Sequence, residues 1–314
     1  MQEFSEDEIY RRLSMDTAIS SVREAFLHDG SAFHQLPERT HLHDGDNTVL
    51  IMPVFIKGYF LTKLVTVAPG NRTKGLPTLE GTVQLYDRQT LQPLARMDGK
   101  ALTAIRTGAL SGLSIAELTE NRPITVGLIG TGTQGWTQLL AAAAVRNVTR
   151  VYAVNRSQDR LAAFKTKWQE ANPEIPLETP ASIEELVQKS DVILTATTSK
   201  TPVIPENAAA LLSGKHVAAV GSFRPDMQEL PDSVLHGNGS IFIDTPTAEK
   251  ESGDIIRARE LIKGEPAGQI HLFKHVLSGQ APAAGKMPFT VFKSVGSALF
   301  DAYVAKDFYE QQKG

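Results

Sequence analysis

The chain has 314 residues, 41% hydrophobic and 21% charged, with a formal net charge of −3. That is enough apolar material for a substantial core in one large or two ordinary domains, and too little positive charge for a nucleic-acid surface. There is no cysteine, so disulfides, thiolate nucleophiles and cysteine-held zinc are excluded, and a reducing, cytoplasmic setting is expected.

The acidic start, Met1 to Glu8, lacks the basic-then-apolar order of an export signal. No run of about 18 apolar residues predicts a membrane span. Ser5 ahead of Glu6, Asp7 and Glu8 predicts a helix start, and Ile19, Val22, Ala25 and Phe26 have the spacing of one buried helical face. Residues 31–48 read as polar and irregular. Strand-like runs then crowd together at Thr48–Val54, Tyr59–Val67, Thr82–Asp87 and Pro93–Asp98, punctuated by glycine and proline. Leu102–Leu118 reads as a helix, broken at Asn121-Arg122-Pro123, a hinge candidate. This first part is predicted to be α+β.

From Ile124 the pattern alternates strand and helix, which predicts a doubly wound parallel α/β sheet, a Rossmann domain. Strands are expected at 124–129, 151–154, near 177, and at 192–196, 216–220 and 240–243. Helices are expected at Trp136–Val145, Asp159–Ala171 and Ser182–Gln188. The tail Pro288–Tyr309 reads as helical from about Val291, with Val291, Val295, Ala298, Leu299 and Ala302 on one side. Lying beyond the sixth strand, it is predicted to return to the first domain. The division expected is 1–120 with 290–314, and 121–289.

The first strand of the second part ends in Gly130, Gly132 and Gly135. In this spacing the first glycine allows the bend, the second lets backbone approach a pyrophosphate, and the third lets helix and strand pack. The helix that follows offers free N–H groups to the phosphates. Dinucleotide binding is the reading. The second strand ends in Asn155-Arg156-Ser157 with no carboxylate to grip ribose hydroxyls. Asn155 can still bond a ribose, and Arg156 and Ser157 suit a 2′-phosphate, so NADPH is expected ahead of NADH, with NAD the alternative.

Lys63 lies inside an apolar strand-like run, and Arg106 in the run Leu-Thr-Ala-Ile-Arg-Thr-Gly-Ala of a helix rich in Ala, Leu, Ile and Gly. A buried cation is costly without an anion beside it. Together with Arg39, these segments resemble the ornithine cyclodeaminase/mu-crystallin family over nearly the whole chain. The resemblance is carried by Lys63-Leu-Val-Thr-Val, Met97 to Leu113, Gly130-Thr-Gly-Thr-Gln-Gly, Val220-Gly-Ser-Phe-Arg-Pro-Asp-Met-Gln-Glu-Leu, Glu251-Ser-Gly-Asp and Phe292-Lys-Ser-Val-Gly.

The resemblance implies a dimerising α+β domain around a central nucleotide domain, and a homodimer acting on a small amino or imino acid. It places the substrate carboxylate on Arg39, Lys63 and Arg106, and the acid/base role on Asp226, with Lys63 also in the catalytic set. It puts the cofactor on the loop from Gly130 and Thr131 through Gly132, Thr133 and Gln134, beside Ala196, Thr197 and Thr198, with Gly221, Ser222 and Gly296 near the nicotinamide.

Within the family, the Gly221-Ser-Phe-Arg-Pro-Asp stretch resembles reductases and dehydrogenases. Reduction of a cyclic imino acid such as 1-pyrroline-2-carboxylate to proline is therefore expected first. Ornithine cyclodeaminase and an alanine-type dehydrogenase are the alternatives, and a mu-crystallin-like small-ligand binder is the non-enzyme one. Where some members carry His-Gln after Gly-Leu-Pro, this chain has Leu79 and Glu80. No metal is expected, since His41 and His43 alone make a poor site.

Overall fold

The structure, a computed structural model, describes residues 1–27, 37, 39–262, 270–281 and 287–313. It divides into two units, Met1–Arg106 with Ser297–Gly314, and Thr107–Gly296.

In the first unit, β1 (Gln2–Phe4) leads into α1 (Glu6–Arg12), whose start is fixed by a reciprocal pair of bonds between Ser5 and Glu8. Helix α2 (Met15–Leu27) follows. Strands β2 (Thr40–Asp44), β3 (Asn47–Ile56), β4 (Tyr59–Val67), β5 (Leu79–Asp87) and β6 (Pro93–Asp98) complete a six-stranded sheet in the order β1-β6-β5-β4-β3-β2. All neighbours are antiparallel except β1 and β6.

Strand β2 falls where an irregular segment was expected. It is an edge strand exposed along its whole length, so no buried alternation marks it. The helix Ala298–Gln311 packs on α2, β3, β4 and β5. Phe300 and Phe308 meet Phe26 and Phe4 with ring centroids 4.7 and 4.9 Å apart.

Helix α3 (Gly99–Leu118) contains the boundary between the units, at Arg106/Thr107. The sequence division was expected later, at the Asn121–Pro123 break, which the structure keeps as the link from α3 to the next strand.

The second unit carries β7 (Ile124–Ile129), α4 (Thr133–Val145), β8 (Val148–Val154), α5 (Gln158–Ala171), β9 (Leu177–Glu178), α6 (Ile183–Lys189), β10 (Val192–Thr195), β11 (His216–Ala219), β12 (Ser240–Ile243), β13 (Ile270–Leu272) and β14 (Thr290–Lys293). These strands form one parallel sheet in the order β13-β12-β14-β11-β10-β7-β8-β9. Apolar clusters bury its two faces, which explains the near-continuous apolar runs.

Two expectations are corrected here. The sheet has eight strands, where six were expected. The segment from about Val291, expected to start a helix, instead belongs to β14 (Thr290–Lys293), seated between β11 and β12. All four of its residues are buried, and the β-branched and aromatic Thr290, Val291 and Phe292 suit a strand. The helix begins only at Ala298, after Gly296 (φ 79°) and the capping Ser297.

Candidate functional site

The glycine turn after β7 is built as its glycines dictate. Gly130 has φ 103°, and a Cβ there would come within 2.5 Å of the Ala196 carbonyl oxygen. Gly132 caps α4 with no side-chain bond to the helix amides, and a Cβ on it would meet nothing within 4 Å. The helix end is thus open to a ligand. Thr131 Oγ1 and Gln134 Oε1 lie buried with no partner among the described residues. Open space, free N–H groups and two unsatisfied oxygens fit a dinucleotide's pyrophosphate and sugar. Thr133 opens the helix.

At the tip of β8, Asn155 is already engaged. Its Oδ1 accepts from the Thr131 amide at 3.3 Å, and its Nδ2 donates to the Ser157 carbonyl at 3.0 Å. Ser157 caps α5 through its side chain. Arg156 stands exposed beside them.

The segments after β10 and β11 are joined by Glu229, which sequence reasoning missed. Its Oε1 accepts from the amide and hydroxyl of Thr197 at 2.7 and 2.9 Å. Its Oε2 accepts from the Thr195 hydroxyl and the Gly221 amide at 2.9 and 2.7 Å. Ala196 bonds Ile129, and Thr198 follows in the same loop. Ser222 Oγ donates to the Met227 carbonyl and accepts from the Asp254 amide. Asp254 Oδ1 accepts from the amides of Glu229 and Leu230. Burial pushes the Glu229 carboxyl above its usual range, against the pull of Lys293. Gly296 donates to Asp244 Oδ2 at 2.7 Å, which also takes Ser294 and Val295. Glu229, Asp254 and Lys293 all lie in segments that carried the family resemblance, so the signal was present but unassigned.

Asp226 is exposed and lies in the second unit. It sits 2.9 Å from Lys200 Nζ and 3.1 Å from Arg224 Nε. The Lys200 hydrogen bond comes first in holding its carboxyl below the usual carboxylate range, so it is ionised at neutral pH.

In the first unit the structure brings Lys63 and Arg106 together. Lys63 points from β4 into the core, paired in register with Met52 on β3 and Val83 on β5. It is 2% exposed and Arg106 is 7% exposed. Both bond the same oxygen of Asp301, a wholly buried side chain on the C-terminal helix. Lys63 Nζ lies 3.0 Å and Arg106 Nε 3.1 Å from Oδ1. The Nη atoms of Arg106 bond none of the described residues. Burial pulls Lys63 down to about 8, opposed by Asp301, with Arg106 and Arg39 adding repulsion. Arg39 is half-buried. Burial pushes Asp301 up, but Arg106 and Lys63 outweigh it and hold it ionised. Two cations thus share one anion. A lone acid in the apolar run Ala298-Leu-Phe-Asp-Ala-Tyr-Val-Ala was the available signal for Asp301.

Glu80 is exposed and pairs with Lys100 at 3.2 Å, while Leu79 is exposed. A cavity of about 430 Å³ at the amino ends of the strands, lined by Arg122, Asp191, Lys215 and His216 among others, includes none of the expected residues. Among the described residues no group of three or more metal-ligating side chains occurs, and no helix is long and apolar enough to cross a membrane.

The model of the ornithine cyclodeaminase/mu-crystallin family matches residues 4–314. A Delta(1)-pyrroline-2-carboxylate reductase of Bacillus cereus is 38% identical over 283 residues, 88% of this chain and 85% of its own length. The structure of Thermococcus litoralis Delta(1)-pyrroline-2-carboxylate reductase in complex with NADH and L-proline superposes with a TM-score of 0.89 at 30% identity, covering 99% of this chain and 97% of that one. An archaeal alanine dehydrogenase dimer with bound NAD gives 0.87 at 29%, covering 99% and 95%.

Proposed function

We propose that this chain, which belongs to the ornithine cyclodeaminase/mu-crystallin family, reduces a small cyclic imino acid, 1-pyrroline-2-carboxylate to proline, with a nicotinamide dinucleotide. The observation that carries the reading is the pair of buried cations, Lys63 and Arg106, whose guanidinium terminus makes no bond to the described residues. Such a pair is a receptor for one carboxylate: the guanidinium binds through parallel N–H bonds and the ammonium adds charge. Arg39 contributes a third positive charge to the same group.

The dinucleotide, when bound, supplies the hydride. Residues Gly130 to Gln134 would hold its phosphates, and Ala196, Thr197, Thr198, Gly221, Ser222 and Gly296 would contact the rest of it. The clamp fixes the substrate, and such orientation lowers the barrier by several kcal/mol, on the order of 7–11 at the most. Asp226, ionised beside Lys200 and Arg224, stabilises the protonated imine, whose carbon accepts hydride as the ring nitrogen becomes an amine.

NADPH is the proposed cofactor, on the exposed Arg156 and the missing carboxylate at the β8 tip. NAD, the cofactor type carried by the two solved relatives, is the alternative.

A homodimer is proposed as well. The sheet of the first unit carries Ile51, Leu64, Phe60 and Phe55 on the side opposite Lys63, in register across β3 and β4, with Leu64 42% exposed. A monomer in sedimentation would remove that part of the reading.

The deciding experiment follows nicotinamide absorbance with cyclic imino acids, with keto acids plus ammonia, and with ornithine. Turnover of the imino acid is expected. Turnover of ornithine or of keto acid alone would assign a sister activity, and binding without turnover would assign a carrier.

A further inference from the structure

Lys63 and Arg106 would repel each other in the low-dielectric core if nothing stood between them. What stands between them is Asp301, 0% exposed and bonded to both through one oxygen. We infer that Asp301 is a positioning residue, a resident carboxylate that keeps Lys63 charged and turns Arg106 so that its far edge meets the substrate. This deepens the carboxylate-clamp reading and rests on it.

Three observations support the assignment. First, Asp301 bonds Arg106 at Nε alone, and among the described residues nothing bonds its four Nη hydrogens, which suit a second carboxylate. Second, Lys63 lies between Met52 and Val83 in the sheet, neither of which can carry charge. Among the described residues, the charged groups that act most on it are Asp301 from the C-terminal helix, Arg106 from α3, and Arg39. Asp301 is the only anion among these, and without one a buried ammonium discharges. Third, Asp301 cancels only one of the positive charges of Lys63, Arg106 and Arg39, so the group stays net positive, as an anionic substrate requires. Its second oxygen, Oδ2, has no partner among the described residues. The side chain is thus committed to the cations through Oδ1.

Asp301→Asn tests the role, because the amide keeps the shape and an acceptor oxygen while losing the charge. The alkaline fall of kcat/KM for the imino acid is expected to move to lower pH by about 1–3 units. The KM for the dinucleotide is expected to stay unchanged. The rate of acetylation of Lys63 by acetic anhydride, read by mass spectrometry across pH, is expected to move by the same amount. A lowered melting temperature with both pH profiles unmoved would make Asp301 a structural strut and overturn the inference.

The acetylation profile needs no turnover. If the chain reduces no imino acid, the function proposed above fails while this titration still decides the role of Asp301. Should Asp301→Asn not fold, Asp301→Glu replaces it. Charge is then retained and geometry changed, so the alkaline limb must stay in place while the substrate KM rises. A displaced limb, or an unaltered KM, overturns the inference.

Discussion

Lys293 Nζ and Asp254 Oδ2 face each other at 3.2 Å with both side chains wholly excluded from solvent. Glu229 Oε2 lies 3.8 Å from the same ammonium. The ammonium is near enough for ion pairing, yet neither it nor Oδ2 makes an aligned hydrogen bond. One buried cation is therefore shared by two buried acids, and these acids hold the backbone after β10 and β11. Lys293→Met is expected to destabilise the fold by about 3–5 kcal/mol, because two carboxyl groups are left without a counter-charge. Urea unfolding measures this, and an unchanged midpoint with an unchanged slope would show that the cation is dispensable.

His216 supplies a pH dependence of stability. It is buried, with its ring nitrogens 2.8 Å from Thr290 Oγ1 and 3.0 Å from Ser114 Oγ. Burial pulls it from 6.5 down to about 3. Between those values the unfolded chain binds the proton and the folded chain does not, so stability falls as pH drops below about 6.5. At pH 5 the loss is about 2 kcal/mol. His216→Gln should flatten the slope of unfolding free energy against pH in that range.

Lys63 gives the opposite limb, in activity. With its ammonium pulled down to about 8, carboxylate binding weakens as pH rises through that value. Lys63→Arg, charged throughout, should remove the alkaline fall in kcat/KM while raising the substrate KM about tenfold through altered geometry. Persistence of the limb in the arginine variant would move its origin to another group.

Asp226→Asn should lower kcat by roughly 10²–10⁴-fold with little change in dinucleotide KM. Steady-state kinetics decides, and unchanged turnover would leave Asp226 as a surface partner of Lys200 and Arg224.

Arg156→Ala should weaken NADPH about tenfold or more and leave NADH unaffected, since only a 2′-phosphate gains from the guanidinium. Equal effects on the two cofactors would end the proposed preference.

What the sequence disclosed and what it concealed follow from range. The glycine turn was readable because strand, bend and helix occupy adjacent residues from Ile124 to Val145. Lys63 was conspicuous because it interrupts an apolar run. Its partner Asp301 lies 238 residues away, and no local periodicity links them. The tail misled for a different reason: Val291 and Val295 happen to continue the helical spacing of Ala298, Leu299 and Ala302, although a glycine turn separates strand from helix. Asn155 was read as a ribose ligand from its place at a strand tip, while the structure also gives it the task of holding the Thr131 amide.

Strand β14 sits between β11 and β12, and the helix that follows it closes the core of the other unit. Neither unit can therefore finish on the ribosome before this final stretch has been synthesised. A nascent chain halted short of Thr290 would leave a gap in the middle of one sheet and strip the cover from the other. Premature termination late in the message should thus be as damaging as termination early, yielding chains fit for degradation and no half-sized binding protein.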